Sequence, residues 1–396
     1  MSDTPTAPPP RASAAVPISA GLLTAIVGFA SSFAVVLAGL QAVGATPEQA
    51  ASGLIALSAG QGLLMIVLAW RSKLPLSFAW STPGAALLVS TGMPHAGFAE
   101  AVGAFLVAAG LIVAAGLWRR FGQAVEAIPT SLASAMLAGV LLNLCLAPIE
   151  AIEAFPWQAA AIIVAWAVTL RFARLYAVLA AVVVAAVVIP LSTPLPEGIV
   201  ETAWPVPVLV MPTFSLDSII GISLPLFLVT MASQNIPGLA VLNANGYRPA
   251  ASPLFVTTGV ASAVTAFFGG HMLNLAAITA ALCAGPDAHP DPKKRYIASL
   301  TAGGSYIVIA LLAGIAAAFA TASPPLLIQT VAGLALLASL AGAAASALSK
   351  PDEHVPAIVT FVTTASGLSI LGIGAAFWGL LAGGAMLALL KLGKSA

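Results

Sequence analysis

Charge is what this sequence has least of. Asp, Glu, Lys and Arg make up 7% of its 396 residues, against roughly 25% in a soluble globular domain. Hydrophobic residues make up 60% and the mean hydropathy is +1.05. Water cannot be the solvent for most of such a surface, which excludes an ordinary soluble domain. Cysteine is nearly as scarce. Cys145 and Cys283 both lie in apolar runs, where the expected role is a small buried hydrophobe rather than a disulfide or a metal ligand. Paired carboxylates, His/Cys clusters at metal spacing and a nucleophile beside a base are all missing. An intramembrane enzyme is therefore set aside, and no cofactor or metal is expected. The near balance of 14 Lys+Arg against 13 Asp+Glu offers no basic surface for nucleic acid.

What the sequence does have is long apolar runs. An apolar helix needs about 20 residues to cross the hydrocarbon core. By that rule full spans are expected at 17–40, 50–70, 97–117, 124–147, 157–172, 175–192, 216–234, 251–268, 296–320 and 324–348. Two further segments, 82–92 and 271–284, are too short to span alone. The last run, 355–390, is too long for one helix and breaks at Gly372-Ile373-Gly374. The fold class is thus an all-α polytopic membrane protein of about fourteen segments. The charges support this count, because basic residues accumulate on the cytoplasmic side. With the N-terminus inside, all 14 Lys and Arg fall in inner loops, while the outer loops hold only acids, such as Glu48, Glu150 and Glu197. Residues 1–15, rich in Pro, Ser, Thr and Ala, lack the layout of a cleaved signal and read as a disordered cytoplasmic tail.

Seven is odd, so two halves of seven segments would be inverted relative to one another. A shift of 202 residues aligns Ala30-Ser31 with Ala232-Ser233, Gly44 with Gly246 and Pro47 with Pro249. The two short segments, 3 and 10, fall at matching places in the halves. Short, Gly/Pro-interrupted apolar segments in corresponding positions point to a transporter's binding site. In segment 3, residues 76–80 suit a short extended stretch. Ser81 or Thr82 before Pro83 and Gly84 then makes a good helix start. Segment 10 is expected to repeat this plan, extended over 267–271 and helical from about Met272, with Asn274 inside the helix. Two half-helix N-termini facing one another near the midplane would make an anion site.

Polar residues at membrane depth are the candidate ligands, each with a plainer alternative. Ser233, Gln234 and Asn235 adjoin Pro237-Gly238 and would either line a cavity or bond between helices. His271 would either cap the half-helix by bonding a backbone carbonyl, or meet a substrate carboxylate and respond to protons. Ser31 and its neighbour Ser32 could bond their own helix. Phe33, Phe78, Trp80, Phe267 and Phe268 are individually packing residues, yet their grouping beside the breaks suits an aromatic-lined pocket. No carboxylate is expected inside a span, since Glu100 and Glu126 fall at helix starts.

The stretch from Met231 to Tyr247 (MASQNIPGLAVLNANGY) resembles the signature of the BenE family of bacterial benzoate:proton symporters. The stretch from Phe268 to Gly285 (FGGHMLNLAAITAALCAG), running on to Asp287, His289, Pro290 and Tyr296, resembles it too. That family is similar to the uracil-transporter fold. The resemblance implies a core of segments 1–4 and 8–11 and a gate of segments 5–7 and 12–14. In this chain the core would comprise 16–120 and 214–322, and the gate 121–213 and 323–396. It further implies a substrate held between half-helices 3 and 10 against segments 1 and 8. Acidic residues contact substrate in the uracil carriers; Gln234 and Asn274 stand nearest those places here, which suits an anion. The expected function is uptake of benzoate or a similar aromatic carboxylate with a proton across the inner membrane by alternating access. The site would be Ser31, Phe33, Trp80, Ser81, Thr82, Pro83, Gly84, Ser233, Gln234, Asn235, His271 and Asn274, with His271 coupling the proton. A channel or uniporter on the same fold, a carrier of another small organic anion, and a homodimer all stay open.

Overall fold

The computed structural model describes residues 15–118, 120–121, 129–193, 206–370 and 373–392. The expected tail, Glu126, Glu197 and Gly372 therefore lie outside, or all but outside, the described residues. Among the described residues nine helices are long and apolar enough to cross a membrane. They correspond to segments 1, 2, 4, 5, 7, 8, 11, 12 and 14. Segment 6 (Pro156–Phe172) and segment 9 (Ala251–Ala266) are shorter apolar helices. Segment 13 is a helix of 12 residues, His354–Ala365, and segment 14 is Ala375–Leu392.

The packing obeys an inverted repeat. Segment 2 (Pro47–Ser72) packs along segment 11 (Tyr296–Ala322), and segment 9 along segment 4 (Phe98–Leu117). A shift of seven segments converts the first pair into the second. Segment 5 (Thr130–Ala154) packs along segment 12 (Pro325–Ala347), a pair that the same shift maps onto itself. Lipid tails give helices no hydrophobic drive to associate, so such contacts rely on small residues that let backbones meet. Gly62 and Gly303 show this: a Cβ on Gly62 would lie 2.7 Å from the Gly303 carbonyl oxygen, and one on Gly303 2.8 Å from that of Gly62.

Segments 1 and 8 are interrupted at equivalent points, and in neither is the interruption of the expected kind. Segment 1 is not continuous over 17–40 but splits into Ala15–Ala30 and Phe33–Ala42. The Ser31 and Ser32 hydroxyls both donate back to the Gly28 carbonyl, at 3.1 and 2.9 Å. Such side-chain bonds compete with the helical ladder. Segment 8 does not end at the Pro-Gly pair but runs from Leu216 to Ala244. It contains two π-helical turns, Ile219–Ser223 and Met231–Asn235, each followed two residues later by a proline, Pro225 and Pro237. A proline lacks an N–H and clashes with the preceding turn. A widened π turn just ahead of it absorbs that misfit without ending the helix. The matched glycines confirm the alignment: Gly44 (φ 96°) and Gly246 (φ 86°) both terminate a helix in a left-handed conformation.

Segments 3 and 10 each combine a strand with a half-helix. Strand β1 (Phe78–Trp80) precedes the helix Thr82–Thr91, and strand β2 (Leu273–Leu275) precedes the helix Ile278–Ala284. The strands pair antiparallel, with Phe78 opposite Leu275, Ala79 opposite Asn274 and Trp80 opposite Leu273. Segment 3 matches expectation; segment 10 does not. Its extended stretch lies at 273–275 rather than 267–271, and its helix begins at Ile278 rather than Met272. The cause is local. The amides of Gly269 and Gly270 close the end of segment 9 by bonding the Ala266 and Thr265 carbonyls. Gly269, at φ 85°, then turns the chain, so only later residues are free to pair with β1. Asn274 consequently belongs to the strand and not to the helix.

Candidate functional site

Irregular backbone at membrane depth must have its polar groups satisfied within the protein. An antiparallel pair leaves alternate amides pointing away from the partner strand, and here helical side chains receive them. The Trp80 amide donates to Gln61 Oε1 of segment 2 at 3.0 Å. The Leu273 amide donates to Ser262 Oγ of segment 9 at 2.8 Å. The Leu275 amide donates to Asn235 Oδ1 of segment 8 at 2.9 Å. Asn235 Nδ2 meets the Met231 sulfur at 3.3 Å. Asn235, expected among the ligands, thus holds the edge of β2.

Ser81 is the hub of segment 3. Its hydroxyl accepts from the Gly84 amide at 3.1 Å, capping the half-helix, and shares a 2.8 Å bond with Thr230 of segment 8. Its amide donates to the Met272 carbonyl. Pro83 occupies the first turn of that helix, after Thr82. Gly84 packs close to segment 8: a Cβ there would lie 2.6 Å from Leu226 Cδ1, so that side chain would have to shift. The Ser81 carbonyl lies 2.9 Å from His271 Nε2. A carbonyl only accepts, so Nε2 carries the hydrogen and Nδ1 of a neutral ring is left with its lone pair. His271 therefore bonds the capping residue of the other half-helix and does not cap its own.

Several polar atoms here are buried without a hydrogen-bond partner: His271 Nδ1, both amide atoms of Asn274, and Gln61 Nε2. Such groups are costly unless something pairs with them. These atoms belong to residues in and beside one three-residue strand pair, and they include donors (Asn274 Nδ2, Gln61 Nε2) and acceptors (His271 Nδ1, Asn274 Oδ1). The half-helices leave this strand pair from opposite ends, so their N-termini flank it.

Aromatic rings lie alongside. Phe29 stacks on Phe33 with centroids 5.2 Å apart and meets Trp80 edge-on at 5.9 Å; Tyr306 also meets Trp80 edge-on, at 6.4 Å. The Trp80 indole donates to Ser32 Oγ at 2.8 Å. Phe29 and Phe33 also line an open apolar cleft of about 670 Å³ between segments 1, 7, 11 and 12, whose walls include Val182, Ile315 and Val331. That size falls in the range of small-molecule sites.

Other expected residues stand further from this chemistry. Ser31 and Ser233 bond the carbonyls of Gly28 and Val229 in their own helices. Gln234 sits in the second π turn, largely buried. Glu100 is only 3% exposed. It accepts from the Ser215 hydroxyl, from the Ser218 hydroxyl at 2.7 Å and from the Ala96 amide at 2.7 Å, joining segment 4 to the start of segment 8. Sequence reasoning missed Gln61, Thr230, Ser262, Phe29 and Tyr306. Gln61 carried a usable signal, as the only amide side chain in 50–70.

The profile of the benzoate membrane transport protein family matches residues 12–389. The chain belongs to that family. This transporter is 39% identical over 390 residues to the inner membrane protein YdcO of Escherichia coli, covering 97% of each chain. It is 33% identical over 367 residues to the benzoate membrane transport protein of Acinetobacter baylyi, covering 92% of each. Among solved structures it resembles the transmembrane domain of a cyanobacterial bicarbonate transporter, BicA. There the TM-score is 0.58 at 14% identity, over 95% of this chain and 97% of that one. It also resembles murine Slc26a9, an anion transporter in the inward-facing state, with TM-score 0.60 at 13% identity over 97% of this chain and 69% of that one. These likenesses establish the fold class, a mostly helical inverted-repeat transporter. The protein is a multi-pass transporter of the bacterial inner membrane and not an enzyme.

Proposed function

We propose that this transporter imports benzoate or a similar aromatic carboxylate together with a proton. The observation that carries the reading is the group of unpartnered buried polar atoms at the strand pair, set between two half-helix N-termini and beside an aromatic wall. The N-terminus of Thr82–Thr91 and the Asn274 amide would hold the carboxylate. Trp80, Phe33 and Phe29 would cover the ring. The absence of an acidic side chain at the strand pair suits an anion, which a fixed carboxylate would repel. The name of the Acinetobacter relative supports benzoate within the wider class of aromatic acids.

His271 supplies the coupling in this reading. Its Nε2–H is committed to the Ser81 carbonyl, so a proton can only be taken up at Nδ1. An anion within a few ångströms favours the charged form of an imidazole. The protonated Nδ1 then donates to the carboxylate, and substrate and proton bind together. The core, segments 1–4 and 8–11, would carry both across by moving against the gate, segments 5–7 and 12–14.

Uptake of labelled benzoate into proteoliposomes tests the proposal. Accumulation above equilibrium under an inward proton gradient, with acceleration by benzoate on the far side, is expected. Uptake that ignores the gradient and shows no such acceleration contradicts it and points to a channel.

A further inference from the structure

The binding proposed for benzoate leaves the apolar cleft beyond the aromatic wall unused, and its chemistry points to a different ligand. The cleft holds about 670 Å³ between segments 1 and 11 on one side and segments 7 and 12 on the other. Every residue that lines it is Ile, Leu, Val, Phe, Ala or Pro. Phe33, Ala34, Ala185, Ile328 and Val331 belong to that lining and are buried, so the cleft reaches into the protein. Ile26, Leu312 and Ile315 belong to it too and are exposed, so it opens outward.

The opening faces hydrocarbon. On segment 1, Ile18, Leu22 and Ile26 are exposed at every fourth residue, a spacing that places them on one face of the helix. The next turn brings Phe29 and Ala30 into the cleft. On segment 11, Val308, Leu311, Leu312 and Ile315 are exposed. Apolar rows of this kind on a spanning helix face lipid tails, and both rows run into the same opening.

The lining then selects among occupants. Water in a cavity needs polar partners, and these side chains offer none. A carboxylate would lie there desolvated and unpaired. A gap would forfeit dispersion contacts, whereas an acyl chain makes them along its whole length.

We propose that this cleft is a binding site for an acyl chain of a membrane phospholipid. The inference depends neither on the proton coupling nor on benzoate as substrate. In the division proposed above, segments 1 and 11 belong to the core and segments 7 and 12 to the gate. The bound chain therefore lines the surface along which the two would move.

Photolabelling in proteoliposomes tests the site. The probe is phosphatidylethanolamine with a diazirine on one acyl chain, added as a minor component of the liposome lipid, and labelled residues are located by mass spectrometry. Ile328 and Val331 on the buried floor of the cleft should be labelled at least about tenfold above Val140 and Leu141, a decade being one clear step in affinity. Val140 and Leu141 of segment 5 are equally buried but lie outside the cleft. Ala186→Phe and Ala316→Phe, which fill the cleft from opposite walls, should lower the floor labelling about tenfold. Labelling of Val164 and Val168, exposed on segment 6, should stay within about twofold. Floor labelling in the wild-type protein no higher than that of Val140 and Leu141 overturns the site, whatever the variants do. So does floor labelling that saturating benzoate abolishes, which would make the cleft the substrate's own pocket.

Discussion

The two broken segments share one plan and are held in opposite ways. Segment 3 supplies much of its own fixing, with the Trp80 amide passed to Gln61 of segment 2 and Ser81 shared with Thr230 of segment 8. Ser81 caps a half-helix of 10 residues, Pro83 presets the first turn, and Gly84 lets the chain close on segment 8. Segment 10 is fixed by others. Its half-helix has seven residues and no side-chain cap at Ala277, and its strand hangs on Ser262 and Asn235 from segments 9 and 8. The unpartnered atoms of His271 and Asn274 also lie on segment 10. The difference teaches a division of labour: segment 3 is the anchor, and segment 10 is the side that has something left to bind.

The largest effect that would sharpen this contrast is expected from His271→Gln. Glutamine preserves a donor towards the Ser81 carbonyl but cannot titrate. Proton-driven accumulation of benzoate should fall at least about tenfold, while counterflow survives. Accumulation at the wild-type level would reduce His271 to a structural bond between the half-helices.

Asn235→Leu comes next. It strands the Leu275 amide at membrane depth, which costs about 1–3 kcal/mol. Unfolding in mild detergent followed by circular dichroism should show that loss, and transport should fall with it. An unchanged midpoint would mean that β2 is not held by segment 8.

Ser81→Ala removes a helix cap worth about 1 kcal/mol, so a smaller drop in stability is expected by the same measurement. Asn274→Leu should do the reverse of Asn235→Leu. Its amide pairs with nothing in the protein, so an apolar replacement of similar volume removes a desolvation cost and should not lower stability. The KM for benzoate should nevertheless rise several-fold, about 1 kcal/mol of lost binding. If Asn274→Leu unfolds the protein as readily as Asn235→Leu, the two halves of segment 10 are not distinguished as argued.

Much of this contrast was legible in the sequence, though unevenly. Hydropathy located the long spans because membrane thickness fixes helix length, and Gly44 and Gly246 announced the repeat because only glycine readily adopts their φ. Segment 3 was legible because much of its fixing comes from local residues. Segment 10 was misplaced by about six residues because its strand is defined by pairing with β1, a tertiary fact. The π turns ahead of Pro225 and Pro237 were invisible for a similar reason: proline usually ends a helix, and only packing reveals when a widened turn absorbs it. Gln61 escaped because its partner is a backbone amide nineteen residues away, in a strand whose edge the sequence did not show.

The central claim is that benzoate binds at the paired strands with its carboxylate against segment 10. A benzoate-bound structure tests it most directly. The account predicts a carboxylate oxygen within about 3 Å of His271 Nδ1 or of Asn274 Nδ2, hydrogen-bonding distance, with the ring against the aromatic side chains beside the strand pair. Benzoate lodged wholly in the apolar cleft beyond the Phe29–Phe33 stack, with both side chains untouched, would contradict it.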